Sequence, residues 1–121
     1  MHDEQLIIVA AGGQQYAVPR RTVRELQRAG AEQPLIGLAD LLGATTAADE
    51  QYALVVAGTE RDVAFRVRRA DLREALPRFQ LPAWLAGQAH PAVCGLILDD
   101  TELMPLVDLV QLALQIGYDA P

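Results

Sequence analysis

Few side chains in this 121-residue chain could do chemistry, and they are scattered. His2 and His90 are its only imidazoles and Cys94 its only thiol. A structural or catalytic zinc site needs three or four such ligands at short, repeated spacings, and no H-x-x-x-H or C-x-x-C exists here. His90 lies between Ala89 and Pro91 in a stretch rich in Pro and Gly and reads as a loop histidine. Cys94 precedes the apolar run "GLIL" and reads as a small buried hydrophobe. Asp99, Asp100 and Glu102 suggest calcium, but an EF-hand needs alternating oxygen ligands over about twelve residues with a central Gly. The three read as a solvated turn. The chain has no lysine, serine or asparagine, which excludes serine nucleophiles, Schiff-base lysines and a Walker phosphate loop. No catalytic residue, metal site or cofactor is expected, and the protein is not expected to be an enzyme. A ligand-binding β-barrel needs a pocket with convergent polar groups, and this composition offers few.

Arginine is the chemistry that remains. All ten basic residues are arginine, against sixteen acidic ones, for a net charge of −6. That balance disfavours general attraction to nucleic acid or anionic lipid. Nine of the arginines fall in two groups: Arg20, Arg21, Arg24 and Arg28, then Arg66, Arg68, Arg69, Arg73 and Arg78. Each is either a solvated face or a local positive patch suited to carboxylates on a partner protein. Aromatic residues do not interleave with them, so nucleic acid is not the expected partner.

The elements that would position these residues show a repeat. "QPLIGLADLLG" (33–43) returns as "MPLVDLVQLAL" (104–114), matching Pro34 with Pro105, Leu35 with Leu106, Leu38 with Leu109 and Leu41 with Leu112. "IIVAAGGQQYAV" (7–18) aligns with "LVVAGTERDVAF" (54–65) at a shift of 47 positions, whereas the proline-leucine segments align at 71. Both of the longer stretches predict hairpins: an apolar strand, a Gly-containing turn, a second strand. "TVREL" (22–26) extends the first half, "ATTAADEQ" (44–51) reads as a linker, and Val63, Phe65 and Val67 alternate with Arg66 and Arg68 as a half-buried strand. "FQLPAWLAGQAHP" reads as a loop or short helical turn, and "DDTE" (99–102) as the turn of a third hairpin. "LVQLALQ" (109–115) and "LADLLG" are candidate closing helices. Trp84, in "LPAWLAG", is expected to anchor that loop to the second half; the alternative is an exposed interface anchor. Half the chain, 51%, is apolar, and no apolar run reaches membrane-spanning length. A soluble, β-rich protein without a signal peptide is expected, and the lone cysteine suits a reducing cytoplasm.

In order, "GGQQYAVP", "TVREL", "PLIGLADLLG", a second hairpin, an "LP" loop, "GLI" and "LMPLVDLVQLAL" resemble the CheW-like domain of bacterial chemosensory systems, over residues 5–114. The resemblance implies a mostly β fold: two small SH3-like β-barrels related by pseudo-two-fold symmetry around a shared apolar core, with short helices closing the barrels. One domain spans residues 1–121, its first half about 5–43 and its second about 52–116. The resemblance also implies a cytoplasmic adaptor that joins chemoreceptor tips to the regulatory domain of a histidine kinase. Val23, Glu25 and Leu26 fall on the family's V-x-E-[VI] positions, which contribute to the groove where a receptor's helical hairpin docks; alternation would turn Val23 and Glu25 to one face. Arg66 and Arg68 are further candidate partner-binding residues. Three departures weaken the partner inference. Only "QRAGAEQ" (27–33) separates Leu26 from Pro34, where typical members carry a longer segment ending near N-L-R-G. Gly37 stands where Asp108 stands in the second half, and Val67-Arg68 replaces a frequent V-D pair. The first barrel is therefore expected to be truncated, with open strand edges that a partner or a second copy would cover.

Overall fold

The computed structural model describes residues 4–28, 35–42, 52–58, 62–74 and 76–119. Strands β1 (Gln5–Ala11) and β2 (Gln14–Pro19) form the first hairpin, with Ala11 opposite Gln14. The two residues between them, Gly12 and Gly13, have φ of 60° and 78°. A type I′ loop needs this left-handed geometry twice, and glycine adopts it without steric cost. A 3-10 turn at Arg20–Thr22 follows, tied by Thr22 Oγ1 donating to Pro19 O at 2.7 Å and Val23 N to Arg20 O at 3.1 Å. The chain continues through β3 (Glu25–Arg28), β4 (Leu35–Gly37) and α1 (Leu38–Leu41). The second expected hairpin is β5 (Tyr52–Val56) and β6 (Val63–Val67), paired antiparallel. Its turn residues 59–61, like the linker 44–51 and most of "QRAGAEQ", lie outside the described residues. Next come β7 (Arg69–Glu74), β8 (Arg78–Phe79) and α2 (Ala83–Ala86). The third hairpin joins β9 (Val93–Asp99) to β10 (Glu102–Val107) through Asp100, at φ 58°, a value that Asp tolerates better than most residues. Helix α3 (Leu109–Asp119) closes the chain.

The strands form two sheets, ordered β7-β1-β2-β10-β9-β8 and β3-β5-β6-β4. The protein is mostly β with short helices, as expected. Each sheet draws strands from both sides of the 44–51 stretch, and only Arg68 separates β6 in one sheet from β7 in the other. The proline-leucine repeat has a clear structural meaning. Both copies supply a strand that pairs parallel to its neighbour, β4 on β6 and β10 on β2, and then turn into a helix. The first helical leucines, Leu38 and Leu109, are both fully buried.

Between the sheets lies the main core. The large sheet contributes Ile7, Val9, Tyr16 and Val18, the small sheet Leu54, Val56, Phe65 and Val67, and the helices Leu38, Leu109 and Leu112. Alternation then predicts polar outer faces, but the large sheet is apolar on both sides. Leu6, Ile8, Ala17, Ile97, Met104 and Leu106 form a second buried cluster behind it, covered in part by Leu76. Behind the small sheet the cluster is, among the described residues, Ala53, Val55 and Ala64 alone.

Two expectations are overturned. Trp84 is 72% exposed. The loop around it is held by local bonds, Leu85 N and Ala86 N to Pro82 O and Ala89 N to Leu85 O, and Leu85 rather than Trp84 turns inward. Cys94 is exposed, not buried. It lies near the rim of the large sheet, its thiol donating to Leu106 O at 3.6 Å, and partial burial raises its pKa against the lowering influence of Arg78.

Candidate protein-docking groove

Strand β3 is an edge of the small sheet and β7 an edge of the large one. Between them is a groove of about 240 Å³ lined by Ile7, Arg20, Val23, Leu26, Ala70 and Leu72. Ile7 and Val23 are buried and form its floor, while Leu26 and Leu72, 46% and 53% exposed, stand at its rims. Register explains this arrangement: Ile7 lies opposite Leu72 and Val9 opposite Ala70, so Ala70 and Leu72 share the face of β1 that carries the main core. Arg20 donates to Val23 O at 2.8 Å and so holds the 3-10 turn against the groove floor.

The residues singled out in the sequence divide between two surfaces. Val23 and Leu26 meet in the groove. Glu25 pairs in register with Val55, and Arg66 with Ala53, which places both on the opposite face of the small sheet. The expected common face for Val23 and Glu25 is not formed, because Val23 belongs to the turn and is buried whereas the strand begins only at Glu25, which is exposed. Arg66 is half-buried, with an Nε that makes no hydrogen bond. Arg68 is exposed in the bend between the sheets, its backbone N–H donating to Ala10 O at 2.7 Å. Sequence reading missed Ala70 and Leu72. The signal was there, since "RADLRE" alternates Ala70 and Leu72 with Arg69, Asp71 and Arg73.

The arginine groups are not bare positive patches. Arg21 faces Glu4 at 3.4 Å, Arg24 faces Asp62 at 2.8 Å, Arg69 faces Asp71 at 3.3 Å and Arg73 faces Asp99 at 3.4 Å. Such exposed pairs add little stability, but they leave less charge for a partner. His90 Nδ1 accepts from Ala92 N at 3.0 Å, a local loop bond. Among the described residues, no three His, Cys, Asp or Glu side chains are grouped to hold a metal ion.

Two sheets sharing a core, each containing a proline-leucine strand followed by a helix, make a CheW-like fold. The crystal structure of the scaffolding protein TtCheW from Thermoanaerobacter tengcongensis matches it with a TM-score of 0.73, over 93% of this chain and 88% of that one, at 12% sequence identity. No protein-family model and no curated protein matches the sequence.

Proposed function

We propose that this chain is a non-enzymatic adaptor of a chemosensory signalling array, binding a histidine kinase regulatory domain and presenting the β3/β7 groove to the helical tip of a receptor. The groove carries the reading. It is apolar at its floor, open at two exposed leucines, and bounded by two sheet edges, which is what an amphipathic helix needs to bury an i, i+3/i+4 stripe. Val23 shapes it and Leu26 contacts the partner. Glu25 and Arg66, on the opposite face of the small sheet, and Arg68, in the bend between the sheets, lie outside it. The adaptor makes and breaks no bonds; it couples two binding free energies by holding partners in register. A cytoplasmic location goes with these partners. Among the described residues, no helix is long and apolar enough to cross a membrane.

The test is a titration against a kinase regulatory domain and, separately, a receptor cytoplasmic tip, over a salt series. Leu26→Asp and Leu72→Asp should each weaken the receptor complex at least tenfold and leave kinase binding unchanged, since both side chains are exposed and surface changes alter stability by about 0.5 kcal/mol or less. A second reading is favoured by the open edges of β3 and β7: another copy of this chain covers the groove. A tight dimer that binds neither partner would establish that reading and remove the adaptor.

A further inference from the structure

The apolar cluster behind the large sheet is not filled. A cavity of about 240 Å³ lies among Leu6, Leu76, Ile97 and Leu106, with Glu4 and Arg78 completing its wall. Leu6, Ile97 and Leu106 are almost wholly buried, so the interior is apolar. Engineered apolar cavities of about 150 Å³ already admit benzene, so this one has room for a ring or branched alkyl group with a short polar head. An empty space of this size costs stability, and a ligand that fills it recovers the lost contacts.

The polar part of the wall carries both signs of charge. Glu4 Oε1 is buried and makes no hydrogen bond, although Arg21 Nε stands 3.4 Å away in an ion pair. A buried carboxylate oxygen without a donor is costly, and an ammonium group, with three donors, satisfies it. Arg78 is exposed and, among the described residues, makes no ion pair; a guanidinium of this kind grips a carboxylate with two parallel bonds. It is set beside the cavity by β8, which packs closely on β9 at Gly95: a Cβ there would meet Phe79 O at 3.1 Å, so that the strands would have to give by a few tenths of an ångström.

From this combination we infer a binding site for a free amino acid with a branched or aromatic side chain. The ammonium meets Glu4, the carboxylate meets Arg78, and the side chain enters the cavity. A simple alkyl carboxylate would leave Glu4 unmet, and an alkylamine or a peptide N-terminus would leave Arg78 unmet. The site lies away from the β3/β7 groove, so it stands or falls independently of the adaptor function.

The experiment follows backbone amide shifts of the full chain during titration with L-leucine and L-phenylalanine. L-leucinamide, which lacks the carboxylate, and 4-methylpentanoate, which lacks the amine, serve as controls. Saturable shifts at Leu6, Ile97 and Leu106 are expected, with binding weakened at least tenfold for either control. Arg78→Gln should abolish the preference for leucine over leucinamide, and Glu4→Gln the preference over 4-methylpentanoate. Leu76→Phe should fill the cavity and block binding in a protein that remains folded by its amide spectrum. The inference is overturned if leucine and phenylalanine fail to saturate these amides at millimolar concentration. It is equally overturned if both controls bind as well as leucine, or if Leu76→Phe binds leucine undiminished.

Discussion

Tyr16 places its ring in the main core and donates its hydroxyl proton to the Gln14 side-chain oxygen at 3.4 Å, a long bond. Burial raises the pKa of this phenol above its ordinary value. The folded protein therefore keeps the proton over a pH range in which the unfolded chain, near pH ~10, has begun to release it. Its contribution to stability is fully present below that range and is lost as pH rises through the folded pKa. Urea midpoints should fall more steeply above pH ~10 for the native protein than for Tyr16→Phe, whereas at pH 7 the two should differ little, because the hydroxyl makes only the one long bond. Residue scale is also where sequence reading of the site was weakest. The family resemblance implied that Val23, Glu25 and Leu26 contribute to a groove, but whether a valine faces a partner or the core depends on where a strand begins. That boundary is set here by the Val23 N to Arg20 O bond of the preceding turn.

At the scale of elements, the two proline-leucine segments start alike and end differently. Asp108 precedes α3, accepts from Val110 N at 3.0 Å and Gln111 N at 3.4 Å, and is followed by an eleven-residue helix. Gly37, its counterpart, gives α1 no side-chain cap, and that helix has four residues. An aspartate cap satisfies otherwise orphaned N–H groups and contributes about 1 kcal/mol, so Asp108→Ala should lower the unfolding free energy by about that amount in a denaturant titration. Gly13→Ala gives a second check on an element. Nothing stands within 4 Å of a Cβ at that position, but φ is +78°, so the full cost of about 1–2 kcal/mol comes from backbone geometry. Elements were the most legible level of the sequence. The glycine pair at 12–13, apolar alternation, polar turn residues and the repeated proline-leucine segments marked all three hairpins and the helices α1 and α3, because turns and caps are local chemistry. The exposure of Trp84 and Cys94 was not legible. It depends on which neighbours a short loop or an outer sheet face meets, and those neighbours are distant in the chain.

For the molecule as a whole, the consequence of the repeated segments lies in how the two sheets depend on each other. Neither sheet contains the strands of one half alone: β1 and β2 pair with β7 and β10, while β3 and β4 pair with β5 and β6. Residues from both sheets and two helices enclose one core, in which Phe65 is fully buried. Local hairpin signals identified these strands but gave no indication of the exchange, since pairing such as Ala17 with Leu106 closes a loop of most of the chain. Among the described residues, only Ala53, Val55 and Ala64 cluster behind the small sheet, so the apolar burial described for it lies mainly on the shared side. A core built this way has no half that can remain folded after the other opens. Phe65→Ala removes the largest side chain fully buried in it and should cost about 3–5 kcal/mol. The sharper expectation concerns where the loss is seen. In hydrogen exchange under native conditions, the slowest amides of β1 and β2, on the large sheet, should accelerate by the same factor as those of β5 and β6, because both report one global opening. Acceleration confined to the small sheet would mean that the sheets unfold separately and that the core between them is a contact rather than a common foundation.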